Sequence, residues 1–415
     1  MNYRRHILPT LRSRVASSPV VIVEGPRSVG KSHILKEIAG ELGAQYFDLD
    51  DRATLSAVKS NPELILELSG TVCIDEYQKA PLLLDVIKSE LNRGARPGRF
   101  ILTGSTRHDS LPMQAQALTG RVSQLQVLPL SQGELQGTTE SFLSDALGSQ
   151  ETIRSPRRSS TTRGDYVNAV CDGGFPLAQL ATSPDERRAW FDNYLRLSLG
   201  RDAKELRNLR QQDKLAEVLR SLVGQTGQLV NASKVGELSG LTKVTAESYI
   251  TLLEQLFLVY RLPAWGTTLS NRAVKAAKIH VVDSGIGARL LRLTPNKLSL
   301  NNPTALTEFG HLLESFVVSE VIRQSSWSTL VAGAGHYRTR DGSEVDLVLE
   351  TNDGGIFGLE VKAGRNVEGS DFSGLRQLKK VAGEHFLGGV ILCTGERNYT
   401  YDDRLYVAPI DQIWS

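Results

Sequence analysis

The chain has 415 residues, a formal net charge of +2 at pH 7, 40% hydrophobic and 23% charged residues. This length exceeds what one hydrophobic core organises and predicts roughly two to four domains. The near-neutral balance excludes a global basic field, so any nucleic-acid surface has to be local.

Met1–His6 is polar and basic, with no apolar signal region, and no apolar run approaches the roughly 18 residues that span a bilayer. Cys73, Cys171 and Cys393 show neither CxxC nor metal-ligand spacing, which fits a reducing cytoplasm. Residues 1–135 alternate apolar strands with helices, an α/β pattern. Strands are predicted at Val20–Val23, Gln45–Leu49, Thr71–Ile74, Arg99–Thr103 and Val122–Leu128.

After the first strand comes Gly25-Pro26-Arg27-Ser28-Val29-Gly30-Lys31-Ser32, with His33 opening a helix. It fits G-x-x-x-x-G-K-[ST] without mismatch. The glycines let backbone N–H groups wrap phosphates, and the helix start adds positive potential. Lys31 is placed for the β and γ phosphates, and the Ser32 hydroxyl for Mg²⁺. Asp75-Glu76 closes the third strand as a Walker B step would. Asp75 would face Mg²⁺ and Glu76 would polarise the attacking water. Phe100–Ser105 ends a buried strand at the ligand edge of such a sheet, with Thr103 or Ser105 as phosphate sensor. Arg121, in Leu118-Thr-Gly-Arg121, stands where an arginine finger would act in cis or in trans; the plain alternative is a surface arginine.

Residues 136–164 are rich in Ser, Thr and Arg and read as a flexible linker. Residues 165–210 read as a charged helical lid (Arg196, Arg201, Asp202, Lys204, Glu205, Arg207, Arg210). Residues 211–270 read as a winged-helix-like module. There Ser233 is expected to cap a helix through Leu238, Gly240 to turn the chain, and a helix from about Thr242 to Leu256 to bury Val244, Ile250, Leu253 and Leu256. Lys243, Thr245 and Glu247 make poor base readers, so a structural role weighs more.

Residues 271–415 carry the second cluster. Glu344–Glu350 and Ile356–Lys362 read as strands around an Asn/Asp/Gly turn. Alternation puts Val345, Leu347 and Leu349 on one face, and Glu344 and Asp346 on the other. Counting outward from a turn centred near Asp353-Gly354 sets Asp346 opposite Val361, within one residue of Glu360. Asp346 and Glu360 would hold a divalent metal, Mg²⁺ or Mn²⁺, beside Lys362. Glu314, on a helix over about Thr307–Arg323, would complete the site. Gln377, Lys379 and Lys380 on a later helix are candidate phosphate contacts. The plain alternative is a surface hairpin with a salt bridge.

With these residues in hand, the whole chain resembles bacterial and archaeal AAA-type ATPases joined to a C-terminal PD-(D/E)XK, restriction-endonuclease-like domain of uncharacterised function. Gln78, Pro81, Pro129-Leu-Ser131, Gly174-Phe-Pro176, Arg201-Asp202, Val282–Ile286 and Glu314–Val317 also carry the resemblance. It implies that Gly174 and Pro176 lie near the nucleotide base. Two departures are Ser32 where the family usually has Thr, and a longer Ser/Arg-rich stretch over 138–164. The expectation is an ATP-hydrolysing homo-oligomer acting on nucleic acid, DNA ahead of RNA, with a metal-dependent nuclease activity left open. The alternatives are a nucleotide-dependent switch whose C-terminal domain only dimerises or docks partners, and a toxic or defence nuclease gated by ATP.

Overall fold

The computed structural model describes residues 3–107, 120–203, 212–268, 272 and 276–415. Leu118, Thr119, Lys204, Glu205, Arg207 and Arg210, singled out above, lie outside the described residues, as do the side chains of Arg201 and Asp202.

The N-terminal unit is a parallel sheet of β1 (Val20–Glu24), β2 (Gln45–Asp48), β3 (Val72–Asp75), β4 (Phe100–Gly104) and β5 (Val122–Gln126), in the order β2-β3-β4-β1-β5. Its central strands are buried on both faces, which is why they read as unbroken apolar runs. All strands run the same way, so Gly25, Glu76 and Ser105 leave the sheet at one edge.

The middle unit holds helices Ala232–Ser239 and Lys243–Gln255, with the turn at Gly240 in left-handed conformation (φ 64°). Asn231, not Ser233, caps the first helix by accepting the Lys234 N–H at 3.1 Å. Thr242 caps the second. Val244, expected in the core, is 79% exposed; Ala246, Tyr249, Ile250, Leu252 and Leu253 form the buried stripe. Then β7 (Val259–Leu262) pairs antiparallel with β8 (Lys278–Val281), which also pairs with β6 (Gln228–Leu229). The expected boundary at 270/271 therefore cuts through a sheet: β8 belongs with the middle unit.

The C-terminal unit is a sheet ordered β13-β14-β12-β11-β10-β9, comprising β9 (Val331–Arg338), β10 (Glu344–Thr351), β11 (Ile356–Lys362), β12 (Phe386–Cys393), β13 (Tyr399–Asp402) and β14 (Leu405–Pro409). The helix Pro303–Trp327 and the helix Ser373–Ala382 both pack on this sheet. β10 is therefore buried at Val345 through Leu349 without a break, so the predicted two-face alternation ends in two buried faces.

Residues 136–164 are not the flexible linker their composition suggested. They form short helices, Phe142–Ala146 and Glu151–Arg154, and a strap bound to the chain end. Asp411 accepts hydrogen bonds from Ser159 (2.8 Å), Thr161 (3.2 Å), Arg157 (3.3 Å) and Tyr166 (3.0 Å). Polar side chains here bind buried polar partners instead of water.

Candidate functional site

Gly25 has φ 155°, and a Cβ there would lie 2.0 Å from the Val127 carbonyl oxygen. Gly30 (φ 95°) caps the helix Lys31–Leu42 in left-handed conformation. The loop thus wraps tightly and aims its following helix at whatever it holds. The Lys31 ammonium is buried and donates to the loop's own carbonyls, Gly25 (2.9 Å) and Pro26 (2.6 Å).

Arg5, which the sequence reading missed, supports the loop from behind. Its buried guanidinium donates to the carbonyls of Val29 (2.5 Å) and Leu128 (2.8 Å) and pairs with Glu134 at 3.1 Å. Nothing local marks it, because its partners lie 24, 123 and 129 residues away.

Asp75 is 3% exposed and is held by the Tyr46 hydroxyl (2.9 Å) and by Thr103. Glu76 sits in left-handed conformation at φ 54°, an unusual setting for a non-glycine residue that turns its side chain out of the strand line. Its Oε2 accepts from Ser105 Oγ at 3.1 Å and from the Gln78 amide, which also donates to Ser105 at 3.1 Å. Thr103 therefore bonds the first acid and Ser105 the second. Ser32 and Asp75 offer hard oxygen donors, the kind Mg²⁺ takes.

Arg121 precedes β5, whose first residue pairs with Val20 at the start of β1. The phosphate loop leaves the far end of β1, a full strand of roughly 15 Å away. Arg121 is exposed and donates to Asn92 at 2.7 Å. Of the two arrangements left open by the sequence, this placement sets Arg121 at the opposite end of β1 from its own chain's loop. Gly174 donates to Asp283 (2.7 Å) and accepts from Leu130 N–H (2.8 Å), and Pro176 opens the short helix Pro176–Gln179. Asp283 is fully buried, and that burial raises its pKa. It also caps the helix Ser284–Leu291, so it ties the lid to the middle unit.

In the C-terminal unit, Leu347 pairs with Leu359 and Val348 with Gly358. That register continues to Asp346 opposite Glu360, one residue from the predicted pairing, because the turn centres on Asp353. Lys362 Nζ lies 3.3 Å from Glu360 and 3.5 Å from Asp371. The unexpected member is Lys278 on β8, 1% exposed. Its ammonium contacts Glu314 at 2.7 Å, Glu344 at 2.5 Å and Asp346 at 2.8 Å. Burial pulls the Lys278 pKa down, but Asp346, Glu314 and Glu344 outweigh it and the net shift is upward. Burial first, then the Asp346 charge, raises Glu314 and Glu360 well above the usual carboxylate range.

The expected metal set of Glu314, Asp346 and Glu360 is corrected accordingly. Among the described residues no group of three His, Cys, Asp or Glu is arranged to hold a metal ion. Two of the three expected ligands are turned onto a lysine, and a divalent ion does not fit the cluster as built. Among the other expected phosphate contacts, Lys379 is paired with Asp403 at 3.0 Å.

Residues 17–136 match the family model of an AAA domain. Residues 163–297 and 309–413 match two domains of unknown function, DUF8612 and DUF4143. Two uncharacterized proteins, from Mycobacterium bovis and Mycobacterium tuberculosis, are each 26% identical over 415 residues, covering 99% of this chain and 84% of theirs. A Walker-type ATPase of Pyrococcus abyssi superposes with TM-score 0.44 at 14% identity, over 70% of this chain and 96% of that one. RuvB of Thermotoga maritima does so with TM-score 0.25 at 16% identity, over 62% and 88%. The N-terminal third thus carries an AAA domain. No helix among the described residues is long and apolar enough to cross a membrane.

Proposed function

We propose that the chain is an ATP-hydrolysing switch whose nucleotide state governs how its C-terminal unit engages nucleic acid. The observation that carries the hydrolytic half is Glu76, turned out of β3 and held by Ser105 and Gln78 at the same sheet edge as the Lys31 loop. On ATP binding, Lys31 exchanges the Gly25 and Pro26 carbonyls for phosphate oxygens. Glu76 orients the attacking water, and the Ser105 hydroxyl links that carboxylate to the end of β4. Mg²⁺, when bound, would be held by Ser32 and Asp75 and would neutralise phosphate charge. Arg121 serves a neighbouring copy, so full activity requires a homo-oligomer.

Phosphate release measures this directly. Lys31→Ala abolishes hydrolysis, and Glu76→Gln lowers it by about 100-fold or more while ATP still binds. Wild-type turnover by Glu76→Gln would end the reading.

For nucleic acid, the supporting feature is a groove of about 470 Å³ whose lining includes Arg365, Asn366, Arg397 and Tyr399, together with Glu396, which is paired with Arg158 at 2.9 Å. Arg365 and Arg397 are exposed there, and Tyr399 is 41% exposed. Cations beside an exposed aromatic suit phosphates and stacked bases. DNA, ahead of RNA, is the expected polymer. Arg365→Glu with Arg397→Glu lowers affinity for a labelled oligonucleotide about tenfold or more in fluorescence anisotropy at fixed salt. An unchanged affinity would remove the groove from the proposal. Cleavage forms no part of it, because a lysine fills the carboxylate cluster.

A further inference from the structure

Four carboxylates meet around β10: Glu314 from the long helix, Glu344 and Asp346 from β10, and Glu360 from β11. A cluster of this kind needs a cation. We infer that the resident cation is the ammonium of Lys278, supplied by the middle unit, and that a divalent ion binds there only in its place.

Stoichiometry supports the assignment. A lysine ammonium has three N–H donors and no acceptor, and Lys278 meets three carboxylates at 2.5–2.8 Å, so its capacity is used in full. The ammonium is tethered by β8, which is hydrogen-bonded to β6 and β7 on either side. It therefore competes as an intramolecular ligand at high effective concentration. Mg²⁺ would have to shed water to displace it, and does so reluctantly.

One carboxylate oxygen remains for another cation. Glu360 is 9% exposed and its Oε2 has no hydrogen-bond partner, while its other oxygen faces Lys362 at 3.3 Å. Withdrawal of Lys278 would leave this oxygen together with Asp346 and Glu314, a set of hard donors. A second contact holds the same joint closed. His336 on β9 accepts Trp265 N–H at 2.6 Å through its carbonyl and donates its own N–H to the Pro263 carbonyl at 2.9 Å. The middle unit is thus stapled to the C-terminal sheet beside the cluster.

The test is Mn²⁺ binding by calorimetry and electron paramagnetic resonance, without nucleotide, on the full chain. Wild type is expected to show no Mn²⁺ site that Glu360→Gln removes. Lys278→Met is expected to gain one such site, at least tenfold tighter than anything in wild type, and Lys278→Met with Glu360→Gln is expected to lose it. Lys278→Gln replaces Lys278→Met if the latter does not fold. A wild-type Mn²⁺ site abolished by Glu360→Gln would overturn the inference. So would a folded Lys278 variant that gains none.

Discussion

Arg5 and His280 show how single buried groups set the behaviour of the sites. Removing Arg5 leaves Glu134 as an uncompensated buried carboxylate and two carbonyls unsatisfied, at a cost of about 3 kcal/mol or more. Arg5→Met is expected to lower thermal stability and to weaken binding of a fluorescent ATP analogue, because the Val29 end of the loop loses its support. His280 is fully buried, stacks on Tyr260 at 5.4 Å and shares a 2.9 Å hydrogen bond with Ser315. Burial, the Lys278 charge and His336 hold its pKa well below the usual value. The folded pKa lies below the unfolded one, so the unfolded chain binds more protons as pH falls. Stability from His280 is complete above about pH 6.5 and declines below it, by at most about 1.4 kcal/mol per pH unit. His6, whose pKa is raised chiefly by its hydrogen bond to Glu140, contributes in the opposite sense, fully below pH 6.5 and less above it. Denaturant midpoints between pH 5 and 8 should therefore fall less steeply on acidification for His280→Gln than for wild type.

The helix Ser373–Ala382 approaches β10 so closely that a Cβ at Gly374 would lie 1.7 Å from the Glu344 carbonyl oxygen. Gly374→Ala must move the helix or the strand, at a cost of about 1–3 kcal/mol. Because Glu344 is a Lys278 partner, the same change should loosen the middle unit, seen as faster hydrogen exchange in β8. The strap over 136–164 makes the same point about elements. Its Ser, Thr and Arg content predicts solvation when read locally, yet Asp411, about 250 residues away, collects three of its donors, Arg157, Ser159 and Thr161. Asp411→Ala should convert it into the protease-sensitive segment that its composition describes.

At the scale of the molecule, Arg121 and the loop stand at opposite edges of one sheet, so the finger role requires a second copy. Mixing Lys31→Ala chains with Arg121→Ala chains should restore part of the hydrolysis that each lacks alone, and size-exclusion chromatography with ATP should show assembly. If the mixture stays inactive while ATP still drives assembly, Arg121 is a surface residue bound to Asn92. The three units share a continuous apolar core from β1 through the lid to the C-terminal sheet, so nucleotide state has a packed route to the far domain.

What the chain states on its own is whatever lies close together in it. The phosphate loop, its strand and its helix occupy one short run, and their chemistry was legible from residue types and spacing. The β10–β11 hairpin was legible for the same reason, with its register one residue off because turn residues constrain a centre only loosely. Tertiary structure alone decided what fills the carboxylate cluster. Lys278 sits 36 residues from Glu314 and 68 from Asp346, in a separate strand whose local sequence names none of these partners. Local pattern reports which face of an element is apolar; only the packing of separate elements determines which charges meet.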